Sequence, residues 1–327
     1  MSYPRLLGDI GGTNARWAWQ PTAAAPPQDL RVLPTAADAS IADSARRYLA
    51  EGGHGAPVAV AIGIATPVTG DAVHMTNHHW TFSIEALRQD LGASRCLVIN
   101  DFTALAMSLP ALTGSDLRPI VVAGRGDPPR AVPGAPLALL GAGTGLGVSG
   151  LLLPAPGGGL VALSGEGGHV TLAAADDEEA ALLALLRRRF GHVSAERVLS
   201  GSGLLHLYEA LAALHGEAAT VQTPTALTAA ALDGSDALAL RAAALFSGFL
   251  GNVAGNLALT LGARGGVYIG GGVVPKLGGA FDDALFRSRF EDKGRFRDYL
   301  AAMPSWLITA PAPALLGASR ALDLLPD

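Results

Sequence analysis

The stretch "LLGDIGGTNARWAW", residues 6–19, runs as an apolar strand and then breaks into Asp9, Gly11, Gly12, Thr13 and Asn14. Beyond the break, Ala15, Trp17 and Trp19 alternate with Arg16, Ala18 and Gln20, the period-two pattern of a half-buried strand returning from a turn. Glycine amides with no Cβ in front of them approach an anion closely, and Thr13 and Asn14 add side-chain donors. Asp9 would repel a phosphate by itself. It fits if Mg²⁺, which takes oxygen ligands and keeps part of its water shell, lies between them. Taken alone, the stretch reads best as a hairpin turn with an Asx-type cap.

The rest of the chain repeats the device. In "LALLGAGTGLGVSGLLL" (137–153) an apolar strand again reaches Leu-Leu-Gly, passes a glycine-threonine turn and returns. A third cluster, Gly270–Gly272, ends the apolar run in "GGVYIGGGVVP" (265–275). Two hairpins and one further glycine-rich strand end shift the reading toward a nucleotide held by backbone amides. Around the first hairpin, a helical stretch at 40–49, a fully apolar strand at 58–65, a helical "SIEALRQDLG" and a strand ending in Asn100 and Asp101 alternate. This predicts an α/β layer whose strands are buried on both faces. From about residue 178 the pattern is mostly helical with one late strand.

At 327 residues the chain is long enough for two domains, and half of it is hydrophobic. A net charge of −5 argues against nucleic-acid binding. Cys96, the single cysteine, excludes an intrachain disulfide framework, a zinc knuckle and a CxxC redox centre, and fits a reducing cytoplasm. The start of the chain offers no apolar stretch of signal-peptide length. Residues 242–263 imitate a membrane span and carry the pair Gly251 and Gly255, but Ser247, Asn252 and Asn256 predict a buried core helix instead. The chain has no GxxxxGK[ST], no GxSxG, no HExxH and no protein-kinase signature, and "GAGTGLG" misses the dinucleotide register.

Polar residues gather at strand ends and glycine loops. Asp101, closing "VIND", stands where an α/β sheet meets its ligand and could take a hydroxyl proton during phosphoryl transfer; by itself it reads first as a helix cap. Glu166 and His169 in "LSGEGGHV" could bind vicinal hydroxyls, or belong to a plain tight turn. Glu196 reads as a first-turn glutamate favouring a helix dipole. His74, His78 and His79 lack a nearby carboxylate or cysteine and read as a polar loop.

Set side by side, "GDIGGTNAR", "TNHHW", "INDFTA", "GAGTGLGV", "GEGGHV", "GHVSAERVLSG", "GGVYIGGG" and "FEDKGRF" resemble, in order from Leu6 to about Leu316, the blocks of bacterial glucokinases of the proteobacterial and cyanobacterial type. The resemblance implies a two-domain actin-like ATPase (ribonuclease H-like) fold of the sugar-kinase superfamily. A small α/β domain (1–111 plus about 302–327) and a larger α+β domain (112–301) would flank an active-site cleft. It implies phosphorylation of D-glucose at its 6-hydroxyl by ATP with Mg²⁺, in a cytoplasmic homodimer with no nucleic-acid or membrane partner.

By matching motif, Asp101 is the general base, and Asn100, Asp101, Glu166, His169 and Glu196 bind the sugar. Gly8, Asp9, Ile10, Gly11, Gly12 and Thr13 form the first phosphate turn, with Asp9 meeting Mg²⁺ through water. Gly143, Thr144 and Gly145 form the second turn, and Gly270, Gly271 and Gly272 lie near the adenosine. Two residues depart from the family pattern on the expected sugar side: His79, where a small residue is usual, and Ser202, where proline is frequent. The loop 124–136 matches no motif. The same motifs also serve kinases of other hexoses or kinases that use polyphosphate as donor, and a sugar- or nucleotide-sensing protein could keep the fold without turnover.

Overall fold

Uninterrupted apolar runs at Ala59–Ile64 and Leu137–Ala142 form central strands in which every residue is buried. That is what strands covered on both faces require. The computed structural model describes residues 3–76, 78–124, 126–154 and 159–325. These fall into two compact units, one within Met1–Gly114, Gly158–Ser164 and Ala310–Asp327, the other within Ser115–Gly157 and Gly165–Thr309.

The first unit holds strands β1 (Arg5–Ile10), β2 (Asn14–Gln20), β3 (Gln28–Pro34) and β4 (Ala59–Ile64), the small pair β5 (Ala72–His74) and β6 (Thr81–Ser83), and β7 (Arg95–Asn100). Its sheet runs β3-β2-β1-β4-β7, antiparallel across β3-β2-β1 and parallel across β1-β4-β7. Helix α1 (Ile41–Gly52) starts where Ser40 accepts the Asp43 N–H, and α2 (Ile84–Asp90) where Ser83 caps Ala86. Helix α3 (Asp101–Ser108) follows β7 without a loop. The buried Arg5 on β1 donates to the Ser319 carbonyl and hydroxyl and to Asp323 (2.5 Å), fastening the last helix of the chain to the first strand.

The second unit holds β8 (Leu117–Pro119), β9 (Leu137–Ala142), β10 (Leu146–Leu152), β12 (Val267–Gly270) and β13 (Ser305–Ile308), in the order β10-β9-β12-β13-β8; β11 (Val161–Gly165) leads into Glu166. Again a hairpin, β9-β10, is followed by parallel neighbours, β12 and then β13. The duplication seen in sequence at the two glycine turns thus extends to strand order and direction. β13 is a second late strand that the sequence pattern does not announce. "SWLI" is four residues with no alternation, and its register against β12 makes it a strand.

Helices α4 (Asp177–Phe190), α5 (Ala195–Val198), α6 (Gly201–His215), α7 (Pro224–Asp233), α8 (Ala237–Leu261), α9 (Val273–Leu277), α10 (Asp283–Glu291) and α11 (Arg297–Ala301) complete this unit; α12 (Pro313–Asp323) returns to the first. Helix α8 is long and apolar enough to cross a membrane, yet 72% of its most apolar window is buried inside the protein. Gly251 and Gly255 explain its small-residue spacing. A Cβ on either would meet the Phe286 or Phe290 carbonyl oxygen at 2.1 or 2.5 Å, so α10 lies directly against the α8 backbone.

Candidate active site

In the first unit the β1–β2 hairpin closes when the Gly11 N–H donates to the Asn14 carbonyl at 2.9 Å. Thr35, at the end of β3, ties the turn back: its N–H donates to the Thr13 carbonyl (3.0 Å) and its hydroxyl to the Gly12 carbonyl (3.0 Å). Among the described residues the Gly12 and Thr13 amides find no acceptor, and Thr13 is exposed. Two amides on a pinned turn make an anion cradle. Gly8 is glycine for packing, because a Cβ there would lie 2.8 Å from the Trp17 ring. Ile10 is fully buried and serves the core.

Asp9, the half-buried residue before Ile10 on β1, pairs across the hairpin with Arg16 at 3.1 Å. Burial pushes its carboxyl above the usual value, and Arg16 pulls part of that back.

Asn100 and Asp101 stand at the C-terminal end of β7. Asn100 caps α3, its Oδ1 accepting the Phe102 N–H (2.9 Å) and the Thr103 N–H (3.2 Å). Asp101 is therefore the first helical residue and not the cap. Its Oδ1 accepts from Phe102 N–H (2.9 Å) and Asn100 Nδ2 (3.0 Å). Its Oδ2 has no partner among the described residues. Burial, and then the charge of Asp9, raise its carboxyl to about 6 against the opposing hydrogen bonds. Gly63 on β4 makes room for this helix start, since a Cβ there would lie 2.9 Å from the Ala104 methyl.

In the second unit the Gly143 N–H donates to the Gly145 carbonyl (2.7 Å), and the Gly201 N–H at the start of α6 donates to the Gly143 carbonyl (2.9 Å). Glu196 reaches into this turn. Its Oε2 accepts the Leu146 N–H at 2.8 Å, and a Cβ on Gly145 would sit 2.3 Å from that oxygen. Its other oxygen lies 4.0 Å from Nε2 of the exposed His169. Glu196 is thus in the first turn of α5, as the sequence suggests, but its carboxylate serves the β9–β10 turn and not the helix dipole. The single turn Gly167–His169 presses on β10, where a Cβ on Gly168 would meet the Leu146 carbonyl at 2.1 Å. Glu166 just before it is exposed, and its carboxylate makes no hydrogen bond among the described residues. Thr144, His169, Ser194, Glu196 and Ser202 line one recess of about 100 Å³.

Gly270, the last residue of β12, and Gly271 after it abut the end of β9 at Gly141 and Ala142, just before that turn. Gly271 adopts φ +80°, and a Cβ there would lie 2.3 Å from the Ala142 carbonyl; Gly272 faces open space. The second unit therefore gathers Glu166, His169, Glu196, the Gly143–Gly145 turn and Gly270–Gly272, and the first gathers Asp9, the Gly11–Thr13 turn, Asn100 and Asp101.

Of the residues that depart from the family pattern, Ser202 bonds Ser200 (Oγ–Oγ 3.2 Å) in the recess, and the His79 ring lies tilted against His78, centroids 4.2 Å apart. Asn77, in the "TNHHW" block, and Arg125, in the unmatched loop, lie outside the described residues. Sequence reading missed Thr35, whose role depends on β3 folding back, and the serines Ser194 and Ser200, which cap α5 and α6 and so aim Glu196. The Ser-x-x spacing before each helix was the available signal.

No group of three or more His, Cys, Asp or Glu side chains suited to a metal occurs among the described residues. One buried carboxylate beside an anion cradle fits a cation that is held mainly by water and substrate phosphates, which is how Mg²⁺ binds.

The profile of the glucokinase family matches residues 6–324. The glucokinase of Aromatoleum aromaticum is 52% identical, over 98% of this chain and 95% of that protein. A crystal structure of glucokinase from an Antarctic psychrotroph is 35% identical and superposes with a TM-score of 0.86, covering 98% of both chains. A Streptomyces griseus ROK family glucokinase, solved with glucose and AMPPNP, shares the fold at a TM-score of 0.65 and 18% identity, over 97% of this chain and 98% of that one. Together with the duplicated hairpin-and-parallel-strand units, this assigns the actin-like ATPase sugar-kinase fold, and the chain belongs to the glucokinase family.

Proposed function

We propose that the protein transfers the γ-phosphoryl group of ATP to the 6-hydroxyl of D-glucose, releasing glucose 6-phosphate and ADP. The observation that carries this is the state of Asp101: one carboxylate oxygen is anchored by an amide and by Asn100, and the other is free. In this reading Oδ2 accepts the hydroxyl proton as the sugar oxygen attacks the γ-phosphorus. The bond from that phosphorus to the β–γ bridging oxygen breaks, and ADP leaves. A carboxyl raised to about 6 is a stronger base than an ordinary aspartate and is still mostly ionised at neutral pH.

Asn100, Glu166, His169 and Glu196 hold the remaining hydroxyls. Glu196 has one oxygen committed to Leu146 and one left for the sugar. The Gly12 and Thr13 amides, with Asp9 beside them, receive phosphates in one unit, and Gly143, Thr144 and Gly145 do so in the other, with Gly270–Gly272 toward the adenosine. When bound, Mg²⁺ neutralises phosphate charge, and Asp9 would hold it through water. We read the two units as the small and large domains of the fold, and the working protein as a cytoplasmic homodimer, on the strength of family membership.

The test is ADP release from MgATP with glucose, mannose, fructose or N-acetylglucosamine, with polyphosphate as an alternative donor. Release that requires glucose and ATP supports the assignment. Equal rates with another hexose or with polyphosphate would redefine the substrate, and no release with any sugar would leave only a sensing role. Sedimentation of the purified protein tests the dimer.

A further inference from the structure

The segment between His169 and α4 is held from behind. Leu172 N–H donates to the Val193 carbonyl (3.0 Å), Ala195 N–H donates to the Val170 carbonyl (2.9 Å), and Thr171 and Ser194 form an isolated bridge. This short pairing fixes His169 immediately before it against Glu196 immediately after it. At its far end the Ala173 carbonyl accepts a hydrogen bond from Nδ2 of Asn252, at 3.2 Å, from the middle of α8. Asn252 is buried, and its Oδ1 accepts from the ammonium of Lys293, just beyond α10.

Lys293 reaches that position because α8 has no side chain at Gly255, where a Cβ would lie 3.0 Å from the Lys293 Cε. A side-chain amide has two ends of nearly equal shape, and only its partners decide which way it faces. An ammonium donates and never accepts, so Lys293 forces the Asn252 oxygen toward itself and the NH₂ toward Ala173. One further anchor acts on the same segment: the Ala175 N–H donates to Glu179 (2.6 Å), which pairs with Arg289 (3.1 Å).

We propose that Lys293 and Asn252 are positioning residues for the sugar-binding groups, holding His169 and Glu196 in register through the Ala173 carbonyl. The inference rests on the reading of those two residues as sugar ligands, but the linkage itself does not require it. It also gives a role to the glycine spacing on α8 and to the "FEDKGRF" segment, neither of which touches the recess.

Two variants test it by two readouts. Lys293→Met removes the donor and keeps the stem. Asn252→Asp is isosteric, keeps an acceptor for Lys293 and removes the donor to Ala173. In each, hydrogen exchange at Leu172 and Ala195 should quicken by about tenfold, the glucose KM should rise by about tenfold and the ATP KM should stay within about twofold, the scale of one lost hydrogen bond. Lys293→Arg, which retains a donor, should recover most of the glucose KM.

Faster exchange in a protein that never used glucose would keep the linkage and remove only the sugar-kinase reading. Unchanged exchange at Leu172 and Ala195, or glucose and ATP KM values that rise together, would overturn the proposal. If Lys293→Met does not fold, Asn252→Asp decides by the same criteria. If neither variant folds, the pair is a stability element, and the proposal fails.

Discussion

Asp9, one residue before the end of β1, and Asp101, directly after β7, stand at the ends of two strands of one parallel layer separated by β4, and the charge on Asp9 helps hold the Asp101 carboxyl back from ionising. Burial is the larger cause and Asp9 the second. In the proposed role as base Asp101 must be ionised, so kcat/KM should rise with pH through about 6 and fall about tenfold per unit below it. Asp9→Asn removes the second cause and should move this limb to lower pH even as turnover drops. A pH series of kcat/KM for glucose on both proteins checks it, and an unmoved limb would show that Asp9 does not act on Asp101.

Asp101→Asn should separate activity from stability. The kcat should fall by about 10²–10⁴-fold, the range for a lost general base. Stability moves the other way. The folded pKa, about 6, lies above the ordinary carboxylate value of 3.8, so the folded state holds the proton more tightly, and wild-type stability declines as pH rises between the two. Asparagine keeps the acceptor for Phe102 and Asn100 and carries no buried charge. At pH 7 the variant should therefore gain about 1–2 kcal/mol, less than the full linkage because the negative charge at the first turn of α3 is also lost. Near pH 3 the gain should vanish. Urea titrations at the two pH values measure both.

The two glycines of the second turn should behave differently. Gly145→Ala places a methyl 2.3 Å from the Glu196 carboxylate, so that side chain must leave the Leu146 amide. We expect the glucose KM to rise by more than about tenfold, since a hydrogen bond to a charged group is lost along with the position of a proposed sugar ligand. Gly143→Ala points into open space and should leave the glucose KM intact while raising that for ATP. Steady-state kinetics with each substrate varied tests the contrast.

On α8, Gly251→Ala drives a methyl into the Phe286 carbonyl at 2.1 Å and should cost about 2–3 kcal/mol by overpacking. At Gly248 the nearest atoms to a Cβ lie at 3.4–3.5 Å, an ordinary contact. There Ala should gain up to about 1 kcal/mol from helix propensity. Thermal or urea unfolding of the pair would show opposite signs. Similar destabilisation in both would mean that α10 does not rest on the α8 backbone at Gly251.

What the sequence determined by itself is local. Period-two alternation marked β2, continuous apolar runs marked β4 and β9, and a repeated Leu-Leu-Gly turn marked both hairpins, because a strand's face and a turn's backbone depend on residues two to four positions apart. The same locality made Gly11–Thr13, Asn100, Asp101, Glu166, His169 and Glu196 visible as polar groups at strand ends and glycine loops. It could not say which neighbour each would meet. That Asn100 and not Asp101 caps α3 depends on the backbone angle where β7 turns into the helix. That Asp9 feels Asp101 depends on β4 inserting between strands nearly ninety positions apart in sequence, and β13 is a strand only because β12 and β8 flank it. Thr35 pinning the first turn, Glu196 leaving its helix for the Leu146 amide, and Lys293 orienting Asn252 are all contacts between distant segments. Their geometry is set by strand register and by how closely two helices can approach, and these quantities exist only once the chain has packed.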